Sequence, residues 1–280
     1  ANERYEIEFE VREDFIGNNK TIMDVIKKNA KYVLSGIQET KYPIGYKEFD
    51  NVLFEYMQLI HGDKFQQRRI YPKDFIGPSS LTLQVNNVVE KDENYNLPNI
   101  RDNYTVTEKV DGLRKLLYIS KKGKIYLIDT NMNIQYTGVS STFDDTYNSL
   151  LDGEHILHNK TGGFINLFAA FDIYYIKGKN VREKGFANTE TSDVKELYRL
   201  PLLNEFIKSL NLTHPHIRIE PKTFYIQTKQ SSIFDGCKKL LEKMELGGFE
   251  YETDGLIFTP IKYGVGGDRS KKVGPNKKYT

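Results

Sequence analysis

The sequence predicts an α+β fold, on three observations. Two short apolar runs, Leu116–Ile119 and Ile125–Ile128, are joined by Lys121-Lys122-Gly123 and read as a hairpin. A longer run, Phe168–Ile176, has the continuous apolar character of a buried central strand. Residues 19–38, about 47–60 and 231–246 instead carry apolar side chains at helical spacing. Local pattern gives these elements but not their arrangement.

A chain of 280 residues, 39% hydrophobic, holds enough apolar material for one large domain or two small ones. Its formal net charge of +2 gives no global polyanion signal, so any nucleic-acid contact must come from local patches. The single cysteine, Cys237, excludes an intrachain disulfide framework and fits a reducing compartment. No membrane span and no signal peptide is recognisable, so an intracellular location without a membrane partner is expected. There is no G-x-x-x-x-G-K-[ST] loop, no Ser nucleophile elbow and no Cys/His zinc spacing.

In order, Tyr5–Val11 alternate strictly, which puts Glu6, Glu8 and Glu10 on one face of an expected strand. Three carboxylates in a row either hold a divalent metal or face water, and spacing alone favours water. The helix over 19–38 is broken by Tyr42-Pro43-Ile44-Gly45, and the second ends at His61-Gly62. Phe75–Ser80 reads as a loop. Between it and the first hairpin lies Thr107-Glu-Lys109-Val-Asp111-Gly112-Leu-Arg114, with Lys109 expected just before a strand. A lysine so placed suits covalent catalysis by an amine, once burial or a nearby cation such as Arg114 frees its lone pair.

Leu150–Ile156 reads as a strand carrying Asp152-Gly153-Glu154, and Asp172 lies inside the next apolar run. An acid there is costly to bury unless it meets a cation or donors. Ser192–Leu210 is expected to be helical and interrupted by Pro201. His214-Pro215-His216 reads as a loop rather than a metal pair. Ile217–Tyr225 is an expected strand containing Lys222, and Ser231–Leu246 an amphipathic helix with Cys237 in the core. A second Asp-Gly, Asp254-Gly255, precedes the strand Leu256–Pro260, and the Gly- and Lys-rich tail from Ile261 reads as a mobile basic loop.

Taken in order, Lys109-x-Asp-Gly-x-Arg114, Asp152-Gly-Glu154, Phe171-Asp172 and Thr253-Asp-Gly-Leu-Ile-Phe-Thr-Pro260 resemble the covalent nucleotidyltransferases: mRNA capping guanylyltransferases and polynucleotide ligases. The tract 253–260 is more similar to capping enzymes of large DNA viruses than to ligases, where Glu-Gly is usual. The resemblance covers roughly residues 65–265 and implies antiparallel sheets flanking a nucleotide cleft. It implies that Lys109 attacks GTP to give a lysyl-N–GMP, which then passes to a 5′-diphosphate mRNA end. It further implies Arg114 and Glu154 on the ribose, Phe171 stacked on guanine, Lys222 on phosphate or base, and Asp254, with Asp172, placing Mg²⁺ or Mn²⁺. Residues 65–280 would then form the guanylyltransferase domain.

Residues 1–64 would form a helical linker after the end of a metal-dependent, tunnel-type triphosphatase, with Glu6 and Glu8 as remnant metal ligands. Alternatively, they pack on the domain itself. Triphosphatase and cap methyltransferase domains on the same polypeptide are expected partners, with host cytoplasm or virion as the location. The family's later Lys-x-Lys motif and OB domain find no match in Lys271-Lys272 or Lys277-Lys278, so the chain is expected to stop before them. An ATP-dependent polynucleotide ligase and a nucleotide-binding module without turnover are the alternative readings.

Overall fold

The computed structural model describes residues 7, 8, 10, 19–62, 65–90, 98–188, 198–214, 216–266 and 278–279. The elements in order are α1 (Asn19–Ile37), α2 (Tyr46–His61), β1 (Ser80–Leu81), β2 (Tyr104–Val110), β3 (Leu113–Ile119), β4 (Lys124–Asp129), β5 (Ile134–Ser140), β6 (Ser149–His158), β7 (Phe164–Ile176) and β8 (Lys179–Asn180). They continue with α3 (Arg199–Ser209), β9 (Arg218–Pro221), β10 (Tyr225–Ile226), α4 (Ile233–Glu245), β11 (Thr253–Pro260) and β12 (Lys278–Tyr279). Among the described residues no helix is long and apolar enough to cross a membrane.

These strands make two mostly antiparallel sheets, ordered β1-β12-β11-β2-β10 and β5-β4-β3-β6-β7-β8, with β9 parallel on β7. The larger sheet is buried on both faces, which explains its unbroken apolar runs. Leu116, Tyr118, Tyr126 and Ile128 pack with Val52, Leu53, Tyr56 and Met57 of α2. Leu117, Ile119, Ile125 and Leu127 pack on the other side with Leu203 and Phe206 of α3. Each such side chain, fully buried, contributes roughly 1.5–3 kcal/mol. Helix α2 therefore packs on the domain. The smaller sheet rests Val106 and Phe258 on Ile233 and Leu240 of α4.

The chain passes directly between the sheets at two points. Asp111-Gly112 carries it from β2 to β3, and Lys222–Phe224 carries it from β9 to β10. The strand expected over Ile217–Tyr225 is thus split between the sheets. Lys109 lies within β2 at its penultimate position, not ahead of a strand.

Pro201 sits in the first turn of α3, where its missing N–H needs no partner, so it starts the helix instead of interrupting it. Lys278–Tyr279, expected in a mobile tail, pair with β1 and β11. Ile7, Glu8 and Glu10 are exposed and in no strand, while Glu6 lies outside the described residues. The His214 and His216 rings lie tilted against each other, with centroids 5.6 Å apart.

Asp172 is fully buried and meets its cation: Arg199 Nε donates to Oδ1 at 2.8 Å and Nη2 to Oδ2 at 3.3 Å, and the Ile173 N–H donates at 2.9 Å. Arg199 is itself 1% exposed and also donates to the Lys184 and Tyr263 carbonyls. Removing either partner leaves a buried unpaired charge. Asp172→Ala or Arg199→Met alone is expected to cost about 3–5 kcal/mol in urea unfolding, and the apolar double replacement much less.

Candidate active site

A cleft of about 200 Å³ opens where the two sheets diverge. Lys109, Ile257 and Thr259 line it from the smaller sheet, Arg114, Glu154 and Phe171 from the larger. Asp111, Lys222 and Phe224 line it from the two crossings. Five of the expected residues, Lys109, Arg114, Glu154, Phe171 and Lys222, thus converge. Asp254 joins them at the mouth through Lys109. Asp172 does not line the cleft, because Arg199 holds its carboxylate. Asp111 lines the cleft and donates its N–H to the Glu252 carbonyl at 3.0 Å.

Asp254 owes its position to a bulge. The β2–β11 register runs from Thr253 opposite Val110 to Gly255 opposite Lys109, which leaves Asp254 as the extra residue. Gly255 has φ 148°, a backbone that side-chain-bearing residues rarely adopt. Asp254 Oδ2 then accepts from Lys109 Nζ at 2.5 Å, both side chains being well exposed. The cation nearest to hand in the sequence, Arg114, is engaged elsewhere.

Arg114 forks onto Asp152, with Nε to Oδ1 at 3.1 Å and Nη2 to Oδ2 at 2.6 Å, and Nη1 donates to the Pro78 carbonyl at 2.6 Å. Its guanidinium lies 5.6 Å from the ring centroids of both Phe75 and Phe171. Asp152 also accepts from the Tyr174 hydroxyl at 2.5 Å, and burial pushes that phenol well above its ordinary pKa, so it stays a donor. Such a bidentate pair fixes the guanidinium plane. Asp152, Tyr174 and Phe75 were not singled out as site residues. Asp152 was accessible, since strand period two puts it on the face of Glu154. Nothing in the sequence pointed to Tyr174 or Phe75.

Lys222 is buried at the inner end. Its Nζ donates to the Glu108 carbonyl at 2.5 Å and stands 3.5 Å from Glu108 Oε1. The Glu108 carboxylate further accepts from Thr107 Oγ1 at 2.8 Å and the Tyr251 hydroxyl at 3.0 Å. Glu154 is different: its Oε2 is buried without a hydrogen-bond partner. Burial first, then the negative charge of Asp152, pushes its carboxyl up from 4.5 to about 7, against the pull of Arg114. An amine beside a carboxylate, an aromatic plate, fixed cations and an acceptor in want of a donor can take a planar base, a hydroxylated sugar and a polyanion.

Residues 70–273 match the family model described as mRNA capping enzyme, catalytic domain. A probable mRNA-capping enzyme of Acanthamoeba polyphaga mimivirus is 27% identical over 296 residues, covering 92% of this chain and 23% of that protein. An mRNA-capping enzyme of Danio rerio is 27% identical over 173 residues, covering 59% of this chain and 28% of that protein. The chain therefore spans about a quarter of the length of these relatives. Among solved structures, mycobacterial DNA ligase D complexed with ATP and MES superposes with a TM-score of 0.38 at 12% identity, covering 63% of this chain and 53% of that one.

The raised carboxyl of Glu154 has a consequence for stability. The folded chain holds this proton up to about pH 7, whereas the unfolded chain releases it near 4.5. The folded state thus binds more protons in that window, and stability falls as pH rises through it. Glu154→Gln is expected to remove this slope and to exceed the parent at pH 8 by about 1–3 kcal/mol. Denaturant unfolding across pH 4–8 measures it; an unchanged slope would show that the carboxyl titrates alike in the folded and unfolded chain.

Proposed function

This chain belongs to the mRNA capping enzyme catalytic-domain family, and on that premise we propose that it transfers GMP from GTP to the 5′-diphosphate end of mRNA through a lysyl-N–GMP intermediate. The observation that carries the reading is the Lys109 amine on one wall of a cleft whose other wall holds the unpartnered Glu154 carboxyl.

In the first half-reaction Lys109 Nζ forms a bond to the α-phosphorus, and the bond to the pyrophosphate oxygen breaks. The amine must shed a proton, and Asp254 Oδ2, hydrogen-bonded to Nζ, is placed to take it. In the second, a terminal phosphate oxygen of the RNA attacks the same phosphorus. The P–N bond breaks, and the amine recovers a proton. Splitting one displacement into two is the gain of covalent catalysis.

Glu154 accepts hydrogen bonds from ribose hydroxyls, with its neighbour Arg114 held rigid by Asp152. Phe171 stacks on the base. Lys222, anchored on Glu108, presents a fixed positive charge to base or phosphate. Asp254 is the donor type that Mg²⁺ or Mn²⁺ takes together with phosphate oxygens and water, and the ion would neutralise the triphosphate and the leaving pyrophosphate. Among the described residues no cluster of three or more His, Cys, Asp or Glu stands ready as a cage, which suits an ion shared with the nucleotide. Substrates of this kind, and a single cysteine, support an intracellular setting.

Incubation with α-labelled GTP or ATP and Mg²⁺ or Mn²⁺ tests this. Protein label that survives denaturation and alkali but is released by acid, as a P–N bond requires, is expected from GTP alone, absent in Lys109→Ala and at least about 100-fold slower in Asp254→Asn. Label from ATP instead would make the chain a ligase-type enzyme. GTP binding without label from either nucleotide would leave a binding module.

A further inference from the structure

We propose that the face of the larger sheet opposite the cleft carries a second site, which takes one unstacked nucleobase together with its phosphate. Neighbouring strand positions point to opposite faces. Glu154 lines the cleft, and His155 lines a separate cavity of about 320 Å³ walled by Tyr42, Tyr136, Phe164, Asn166 and His216.

His155 is only 3% exposed, and its Nδ1 has no hydrogen-bond partner. Its tautomer follows from its neighbours. Asn166 Nδ2 donates to the His216 carbonyl, so Asn166 Oδ1 faces His155 Nε2 at 2.8 Å and the hydrogen sits on Nε2. Nδ1 is then a bare acceptor that calls for an N–H or O–H. Burial, with the positive charge of Lys115, pushes the imidazole down to about 4, so it stays neutral in the cell.

Two backbone features show that the site is built. Asn166 holds φ 42° within β7, where a strand residue would normally be extended, and local strain of this kind collects at functional positions. Gly138 has φ 78°, and a Cβ there would stand 2.4 Å from the Tyr42 ring, which therefore seats on bare backbone. Tyr42 lies 6.3 Å from Tyr136 and 5.7 Å from His216, centroid to centroid. Lys41 lines the cavity with Nζ 5.9 Å from the Phe164 centroid. Aromatic faces, one acceptor needing a donor and one exposed cation are the complement of a base with an N–H edge and a phosphate.

A free mononucleotide and a nucleotide of an RNA strand share that chemistry. The chain with ¹⁵N-labelled histidine is titrated with GMP, with AMP and with a short unstructured RNA, following the imidazole nitrogens by NMR. A saturable shift of His155 Nδ1 is expected, and Tyr42→Ala should weaken it about tenfold or more. A shift with mononucleotides identifies a free nucleotide as ligand; a shift only with RNA identifies the strand. Lys41→Ala, an exposed change, serves if Tyr42→Ala fails to fold, and should weaken binding several-fold in a salt-dependent way. An unmoved Nδ1 at saturating concentrations, or equal shifts in the variants, overturns the site and leaves an ordered water as the partner. Adduct formation at Lys109 is followed in parallel. Its loss alone would sink the reading of the cleft and not this one.

Discussion

Everything at the cleft depends on how abruptly β2 gives way to β3. Only Asp111 and Gly112 separate a strand of one sheet from a strand of the other. So short a step cannot loop out. It fixes the angle at which the sheets diverge and sets Lys109 and Arg114 on facing walls. The sheet cores on α2, α3 and α4 hold those walls in place. Lys109 is thus positioned by strand geometry, which is stiffer than a loop.

Buried charge is the second organising constraint. Asp152, Asp172 and Glu108 are each essentially inaccessible, and each has its own cation in Arg114, Arg199 and Lys222. Desolvating such pairs is tolerable only when the geometry also satisfies the remaining lone pairs. The hydroxyls of Tyr174, Thr107 and Tyr251 do that here, while backbone carbonyls accept the remaining N–H groups of the cations. Glu154 breaks the pattern, with one buried oxygen unsatisfied and a carboxyl half in favour of its proton near neutrality. A site that leaves one acceptor unmatched before ligand arrives has reserved it for a donor the ligand brings.

Much of this was legible in the sequence. The hairpin over 116–128, the central strand at Phe168–Ile176 and helices α1, α2 and α4 follow from apolar period; the structure contains the helices within a residue or two at each end, while β3 begins three residues and β7 four residues earlier than expected. Motif order brought together Lys109, Arg114, Glu154, Phe171 and Lys222, which lie up to 113 positions apart, 109 to 222, in the chain. The buried-acid reading of Asp172 called for a cation but could not name it, since Arg199 sits behind a stretch with no motif; its expected metal role came from the resemblance alone. The split of residues 217–225 escaped notice because a strand's period does not say which sheet receives each half. Tyr174 looked like one more apolar position in a run of them.

That split has a mechanical meaning. The two sheets are tied directly at Asp111-Gly112 and again at Lys222–Phe224, both short and both lining the cleft. Two such ties define an axis. Bending of one sheet against the other is then a rotation about that line, like a book about its spine. Lys222 at one tie and Asp254, bulged out opposite Val110 and Lys109 beside the other, both lie next to that line. Rotation about the spine would therefore move these two side chains least and open the cleft chiefly at the ends of the strands farthest from the ties.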